Sequence, residues 1–70
     1  MSLAEAEFFE WESALVSEDT RRTYAEPRFE AIGYIDDRLH VMIFCLRGGA
    51  VRVISLRKAN SREAIRYAKT

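Results

Sequence analysis

The sequence predicts an α+β fold: a three-stranded antiparallel β-meander flanked by an N-terminal and a C-terminal helix. Three apolar runs in the middle of the chain are separated by short, turn-forming segments at 36–38 and 47–49. The two ends carry helical signals instead, namely apolar residues at helical spacing and a capping box. With 70 residues, the chain is expected to form a single domain, residues 1–70, that buries about 60% of the surface its unfolded chain exposes.

The N-terminal segment, Leu3 to about Leu15, is predicted to be an acidic amphipathic helix. Its apolar residues recur at spacings of four, three and four residues: Ala4, Phe8, Trp11 and Leu15. This spacing places them on one helical face, and glutamates occupy much of the opposite side. Ser2 and Glu5 have the spacing of a capping box at the start of the helix.

A polar connection, residues 16–27, is predicted to lead from this helix to the sheet, with room for a short extended piece. Pro27 prevents any helix from continuing through it. Arg28 to Ile35 then reads as the first strand, because its residues alternate between two faces. One face carries Phe29, Ala31, Gly33 and Ile35.

The second strand, Leu39 to Leu46, is predicted to be central because it is apolar on both faces except at His40. His40 and Cys45 are expected to be structural residues of this strand. The third strand runs from about Ala50 to Arg57, and a closing helix from Ser61 to about Lys69. Asn60 and Glu63 form the capping box that opens this helix.

Composition excludes several classes of function. A single cysteine cannot form an internal disulfide, and one cysteine with one histidine provides no zinc-binding cluster. No Ser/His/Asp set or Gly-rich phosphate loop is present, and we expect no cofactor and no metal. No apolar run approaches the roughly 20 residues that span a membrane, and the N-terminus is acidic where a signal peptide would be basic. A cytoplasmic protein without membrane contact is expected.

The net charge of zero conceals a polarity along the chain. Residues 1–46 contain ten acidic and four basic residues, whereas residues 47–70 contain seven basic residues and one acidic residue. Such asymmetry indicates a basic partner-binding face. It is equally consistent with two halves that complement each other within the folded monomer.

The clearest chemical signal is the junction between the third strand and the closing helix. Arg57 and Lys58 run into the start of a helix, where unpaired backbone N–H groups and cationic side chains suit a phosphate group. The full cationic set is Arg28, Arg47, Arg52, Arg57 and Lys58. A meander places Arg28 and Arg47 at one end of the sheet and Arg57 at the other. A solvated basic face and an active site therefore both remain open.

Several segments together resemble the BrnT family of bacterial toxins. They are the run from Glu18 to Arg28, Ala31-Ile-Gly33, Arg47-Gly-Gly, and the pattern R-x-I-S-x-R-K-A-x-x-R-E that begins at Arg52 and ends at Glu63, followed by Tyr67. The resemblance covers essentially residues 4–68. The resemblance implies that the family's usual N-terminal strand and helix have no counterpart in this sequence.

The resemblance implies a RelE-like fold and the toxin of a type II toxin-antitoxin pair, a ribonuclease neutralised by a ribbon-helix-helix antitoxin, BrnA. Metal-independent RNA cleavage requires an aligned 2′-hydroxyl, a base, and positive charge on the non-bridging phosphate oxygens. Carried over by position, the candidates for phosphate contact and charge stabilisation are Arg28, Arg47, Arg57 and Lys58. Glu26 or Glu63 could orient an arginine or act as the base, and for Glu63 a helix cap is the simpler role.

An alternative of a different class is a non-catalytic interaction module, a toxin-like domain that binds an antitoxin-like partner or a second copy of itself. A domain without the family's first strand and helix is expected to leave apolar surface uncovered. A homodimer, or an assembly in which copies exchange an element, is therefore expected, with Phe8, Phe9 or Trp11 at the contact.

Overall fold

The structure, a computed structural model, describes residues 3–20 and 26–70. In chain order these residues form a 3-10 helix and then four strands and an α-helix: Leu3–Phe8, β1 Leu15–Asp19, β2 Arg28–Ile35, β3 Arg38–Arg47, β4 Ala50–Lys58 and α1 Ser61–Ala68. The strands make one antiparallel sheet in the order β1-β2-β3-β4. The fold is thus α+β, with one strand more than the sequence predicted.

The meander β2-β3-β4 and its two tight loops are confirmed. Ile35 pairs with Arg38 and Arg47 pairs with Ala50, so each hairpin turns through two residues. Both loops use backbone with positive φ, at 56° for Asp36 and at 59° and 80° for the glycines 48 and 49. Glycine adopts this conformation without strain, which explains the Gly-Gly loop.

The predicted helix from Leu3 to Leu15 is wrong. Only Leu3–Phe8 is helical, as a 3-10 helix, and the chain then runs alongside β2. Phe9 bridges to Ile35, and the Glu10 backbone N–H donates to the Tyr34 carbonyl at 2.9 Å. β1 continues this pairing and satisfies the outer edge of β2, which would otherwise present unpaired backbone groups.

β1 is the short extended piece for which the predicted connection left room. The capping role expected of Ser2 lies outside the described residues, as do residues 21–25 of that connection. The end of the predicted helical spacing, Leu15, instead pairs with Ile32 as the first residue of β1.

One face of the sheet, here called the core face, carries the main hydrophobic core. The face of β2 that carries Phe29, Ala31, Gly33 and Ile35 packs into this core, as predicted. The buried core residues come from the N-terminal segment and from three strands: Phe9, Ala31, Ile35, Met42, Phe44 and Leu56. Ala6 of the 3-10 helix packs against this cluster. The N-terminal segment therefore covers part of the core face.

The opposite face, here called the helix face, is partly covered by α1. Ile32 and Val41 are buried there, at 0% and 1% exposure, although no residue of α1 is itself buried. The Tyr67 ring packs edge-on against Tyr34 at 5.7 Å, and its hydroxyl donates to the Ser13 carbonyl at 2.8 Å. No helix in the described part of the chain is long and apolar enough to cross a membrane.

An irregularity in β4 changes which side chains share the helix face. Ile43 pairs with Ser55, but the next residue of β3, Phe44, pairs with Val53. Ile54 is therefore an extra residue, the arrangement of a β-bulge. In a regular strand Arg52 and Arg57, five positions apart, would point to opposite faces. Because of the bulge, the side chains of Arg52 and Arg57 point to the same face of the sheet.

Candidate functional site

The uncovered half of the helix face forms an open groove that bears three arginines. Arg28, Cys45 and Arg52 lie directly opposite one another across β2, β3 and β4, so their side chains share this face. The groove has a volume of about 440 Å³, and its walls comprise Glu26, Arg28, Cys45, Arg47, Arg52, Val53 and Ile54. We call it the arginine groove.

Arg47 enters the groove from the end of β3, where the Gly-Gly loop begins. Its guanidinium donates to the Glu26 carboxylate, and the two groups form an ion pair. The hydrogen bond and the charge of Arg47 lower the pKa of Glu26, and Glu26 in turn raises the pKa of Arg47. Both groups are thus held in their charged forms.

The balance of charge in the arginine groove is positive. Three guanidinium groups face one carboxylate among the lining residues. Asp19, which is 9% exposed, pairs with Arg28 in the register of β1 and β2. Guanidinium groups bind phosphate oxygens through paired N–H donors, so this groove suits a phosphate-bearing ligand.

Arg57 lies at the other end of the helix face, opposite Val41. Cys45 follows Val41 by four positions in β3, a distance of about 13 Å along a strand. Arg57 donates through both terminal nitrogens to Glu63, at 2.7 and 2.6 Å. The guanidinium is therefore bound to a carboxylate of its own chain.

Glu63 also completes the helix cap. Its carboxylate accepts from the Asn60 backbone N–H at 2.9 Å, and its own backbone N–H donates to the Asn60 side chain at 2.9 Å. The Arg57 hydrogen bond, with help from Asn60, lowers the pKa of Glu63 to about 2. The capping role predicted for Glu63 is confirmed. The carboxylate of Glu63 thus lies at the start of α1, where the sequence suggested a bound phosphate group.

Lys58 points away from both arginine sites. It pairs with His40 in the register of β3 and β4, and His40 shares the core face with Met42 and Phe44. His40 itself is 3% exposed, and its Nδ1 donates to the Arg38 carbonyl at 2.8 Å. The structural role predicted for His40 is confirmed.

The structure therefore separates the four residues that the resemblance implied. Arg28 and Arg47 line the arginine groove, Arg57 pairs with Glu63, and Lys58 lies on the opposite face. The predicted meander had already placed Arg57 at the opposite end of the sheet from Arg28 and Arg47. Adjacent strand positions point to opposite faces, which separates Lys58 from Arg57.

Arg52 was not among those four candidates, although it lines the groove on β4, opposite Cys45. The apolar doublet Val53-Ile54, which interrupts the alternation of β4, was the available signal for the bulge that places it there. Cys45 has two cationic neighbours that the sequence did not indicate, because Arg28 and Arg52 flank it in register.

The geometry defines a small α+β protein whose sheet offers one open, cationic groove suited to phosphate groups. Among the described residues, no group of three His, Cys, Asp or Glu side chains could hold a metal ion. A family model described as ribonuclease toxin, BrnT, of type II toxin-antitoxin system matches residues 1–63. The chain therefore belongs to the BrnT family of ribonuclease toxins. Comparisons with curated proteins and with solved structures give no match.

Proposed function

We propose that this chain cleaves RNA in the arginine groove and that Arg28, Arg47 and Arg52 hold the reacting phosphate. The observation that carries the proposal is the convergence of three guanidinium groups on one uncovered part of the sheet. The family match supplies the class of reaction, because BrnT proteins are ribonuclease toxins.

The proposed reaction is an in-line displacement at phosphorus. The 2′-oxygen of a ribose bonds to the adjacent phosphorus, the bond from phosphorus to the 5′-oxygen breaks, and a cyclic phosphate and a 5′-hydroxyl result. The proton of the 2′-hydroxyl passes to water, and water protonates the departing oxygen. Guanidinium groups stabilise the negative charge that develops on the non-bridging oxygens.

Glu26 is proposed to orient Arg47 rather than to remove the proton. A carboxylate whose pKa is lowered by its ion pair is a weak base near neutral pH. The same argument applies more strongly to Glu63, whose pKa is about 2. Most of the rate acceleration is therefore assigned to the arginines, through positioning and charge stabilisation.

Arg57 and Lys58 remain sequence-based candidates that the geometry favours less. The two hydrogen bonds from Arg57 to Glu63 support a role in holding α1, and the position of Lys58 supports a role outside the groove. We propose that these residues contribute less to cleavage than Arg28 and Arg52 do.

The proposed partner is an antitoxin of the ribbon-helix-helix type, since the family is one of type II toxin-antitoxin systems. Homodimer formation remains a prediction. Phe9 is unsuited to the predicted contact because it is 5% exposed and packs beneath the sheet, whereas Phe8 and Trp11 are 62% and 40% exposed. That exposure also keeps open the second function, a non-catalytic module that only binds a partner.

Cleavage of single-stranded RNA by purified protein tests the proposal. We expect Arg52→Ala and Arg28→Ala to lower kcat/KM at least about 100-fold, the usual effect of removing one donor to a developing oxyanion. Arg52→Lys should restore little activity, because an ammonium group lacks the planar pair of donors. Lys58→Ala is the matched control, a cation removed from the opposite face.

Thermal unfolding of each variant separates lost chemistry from lost folding. The groove assignment fails if Lys58→Ala reduces cleavage as much as Arg52→Ala does while both proteins remain folded. If the parent protein leaves RNA intact at micromolar concentration, the ribonuclease proposal fails for this chain. The interaction module would then be the better account.

A further inference from the structure

The core face bears an exposed apolar surface beside the N-terminal segment. Trp11, Leu46 and Val51 are 40%, 53% and 46% exposed, and Leu46 lies directly opposite Val51. Phe29 and Val53, both half-buried, pair with the two sides of Phe44 and extend this surface across the sheet. We call these five residues the Trp11 surface.

The indole ring at the centre of this surface is held in place from below. Trp11 packs edge-on against Phe9, with ring centroids 4.9 Å apart, and against Phe44 at 5.2 Å. Both supporting rings belong to the buried core. A rigid, half-exposed tryptophan loses little conformational entropy on contact, which is why tryptophan is prominent among residues that dominate protein interfaces.

Acidic side chains lie around the Trp11 surface. Glu10, Glu12 and Ser13 form with Trp11 a shallow recess of about 510 Å³. Exposed Glu18 of β1 pairs with Phe29 at another side of the surface. Neither Glu10 nor Glu12 forms an ion pair with another residue in the described part of the chain.

We propose that the Trp11 surface is the docking site for a basic amphipathic segment of a partner protein. The apolar face of the segment would cover Trp11, Leu46 and Val51, and its lysine or arginine side chains would pair with the surrounding glutamates. A cation beside an indole ring gains a further attraction to the ring face. The inference deepens the proposed function and rests on it, because that function supplies the partner, an antitoxin.

The charge of the surface argues against a second copy of the chain as its occupant, and therefore against the predicted homodimer contact at Trp11. In a symmetric dimer the same patch meets itself. Glu10, Glu12 and Glu18 of one copy would then lie close to those of the other, and like charges brought together disfavour association. A basic segment meets the same surface with complementary charge.

The arginines of the groove lie on the opposite face of the sheet from the Trp11 surface, although Val53 of that surface also lines the groove wall. Trp11 and Phe44 belong to the core face, whereas Arg28 and Arg52 belong to the helix face. A segment bound at the Trp11 surface therefore touches none of the residues assigned to RNA. Binding of the segment and cleavage of RNA can be measured independently on the same protein.

Tryptophan fluorescence provides a direct readout, because Trp11 is the single tryptophan of the chain. The probe is a synthetic amphipathic peptide of about 20 residues, with leucines on one helical face and lysines and arginines on the other. A second peptide keeps the leucines and replaces every basic residue by glutamate. We expect the basic peptide to shift Trp11 emission with saturation and the acidic peptide to have no effect.

Paired variants locate the contact. The double variant E10Q/E12Q should weaken binding of the basic peptide about fivefold, and Leu46→Ser should weaken it about tenfold. The matched controls are E5Q/E7Q, which removes the same charge from the 3-10 helix, and Ile65→Ser, which removes an exposed apolar side chain from α1. Both controls should leave the dissociation constant unchanged.

Three outcomes of the peptide experiments would overturn the assignment. They are equal binding of the basic peptide by E10Q/E12Q and E5Q/E7Q, equal binding of the two peptides, and no saturable change up to about 1 mM peptide, the weak limit of specific association. Sedimentation that shows self-association abolished by Leu46→Ser would make a second copy the occupant and would also overturn it. Loss of RNA cleavage in a groove variant leaves these results unaffected, so the two proposals fail separately.

Discussion

At the scale of single residues, the close packing of the N-terminal segment against β2 requires glycine at position 33, which has no side chain. A methyl group at this position would lie 2.8 Å from Cζ of Phe9 and 3.1 Å from Cβ of Ala14. Because both neighbours are packed against the core, neither can move away freely. Gly33 thus allows the Phe9 ring to lie directly on β2.

We expect Gly33→Ala to lower the free energy of unfolding by about 1–3 kcal/mol, the usual cost of overpacking a core. Urea denaturation measures the change. Phe9→Leu, which removes the ring atom that clashes, is the second arm of a double-mutant cycle. The combined variant should be less destabilised than the sum of the single variants. Strict additivity would show that Phe9 is not the neighbour that Gly33 accommodates.

At the scale of elements, the sequence pattern predicted those strands and helices whose positions are determined by neighbouring residues in the chain. β2, β3 and β4 have alternating or apolar runs bounded by tight loops, and α1 has its capping box, so their positions followed from neighbouring residues. The conformation of the N-terminal segment did not follow from neighbouring residues. Apolar residues at helical spacing also fit a chain that turns and then pairs along the edge of β2. Tertiary pairing with β2 decided between them.

The helix α1 depends on polar links, since none of its residues is buried. Glu63 joins it to β4 through Arg57, and Arg66 joins it to β2 through Glu30. An isolated helix of this length is unstable in water. These links and the Tyr67 contacts therefore keep α1 on the sheet.

We expect Glu63→Gln to destabilise the protein by about 1 kcal/mol near neutral pH, through loss of a charged hydrogen-bonded pair and a weaker cap. The folded pKa of Glu63, about 2, lies below its usual 4.5, so its contribution is present above pH 4.5 and is lost as the pH falls through 2. The difference between parent and variant should shrink over that interval in urea denaturation. Glu7→Gln, at an exposed site, is the control. A difference independent of pH would contradict the charged pairing.

At the scale of the whole molecule, the polarity of charge along the chain becomes a division between surfaces. Two of the ion pairs, Arg47 with Glu26 and Arg66 with Glu30, join the basic half to the acidic half, so internal complementation accounts for part of the polarity. The remaining charge separates: glutamates surround the Trp11 surface, and arginines line the groove.

The sequence indicated that Arg28 and Arg47 lie together, because a meander brings the start of β2 and the end of β3 to one end of the sheet. It did not indicate that Arg52 faces the same way, because a bulge changes the side on which a residue points. Pairing of Arg57 with Glu63 also depended on the angle between β4 and α1, which no local pattern specifies.

The salt dependence of RNA binding tests this division of charge. On single strands each neutralised phosphate contributes about −0.7 to the slope of log K against log salt, so three groove arginines predict a slope of about −2. Arg52→Ala should change it to about −1.4, because one phosphate contact is lost. Lys58→Ala should leave the slope unaltered, although it removes the same formal charge, because Lys58 lies on the core face. Filter binding or fluorescence anisotropy over a range of salt concentrations measures both. Equal changes in the two variants would mean that RNA responds to net charge rather than to the arginine groove.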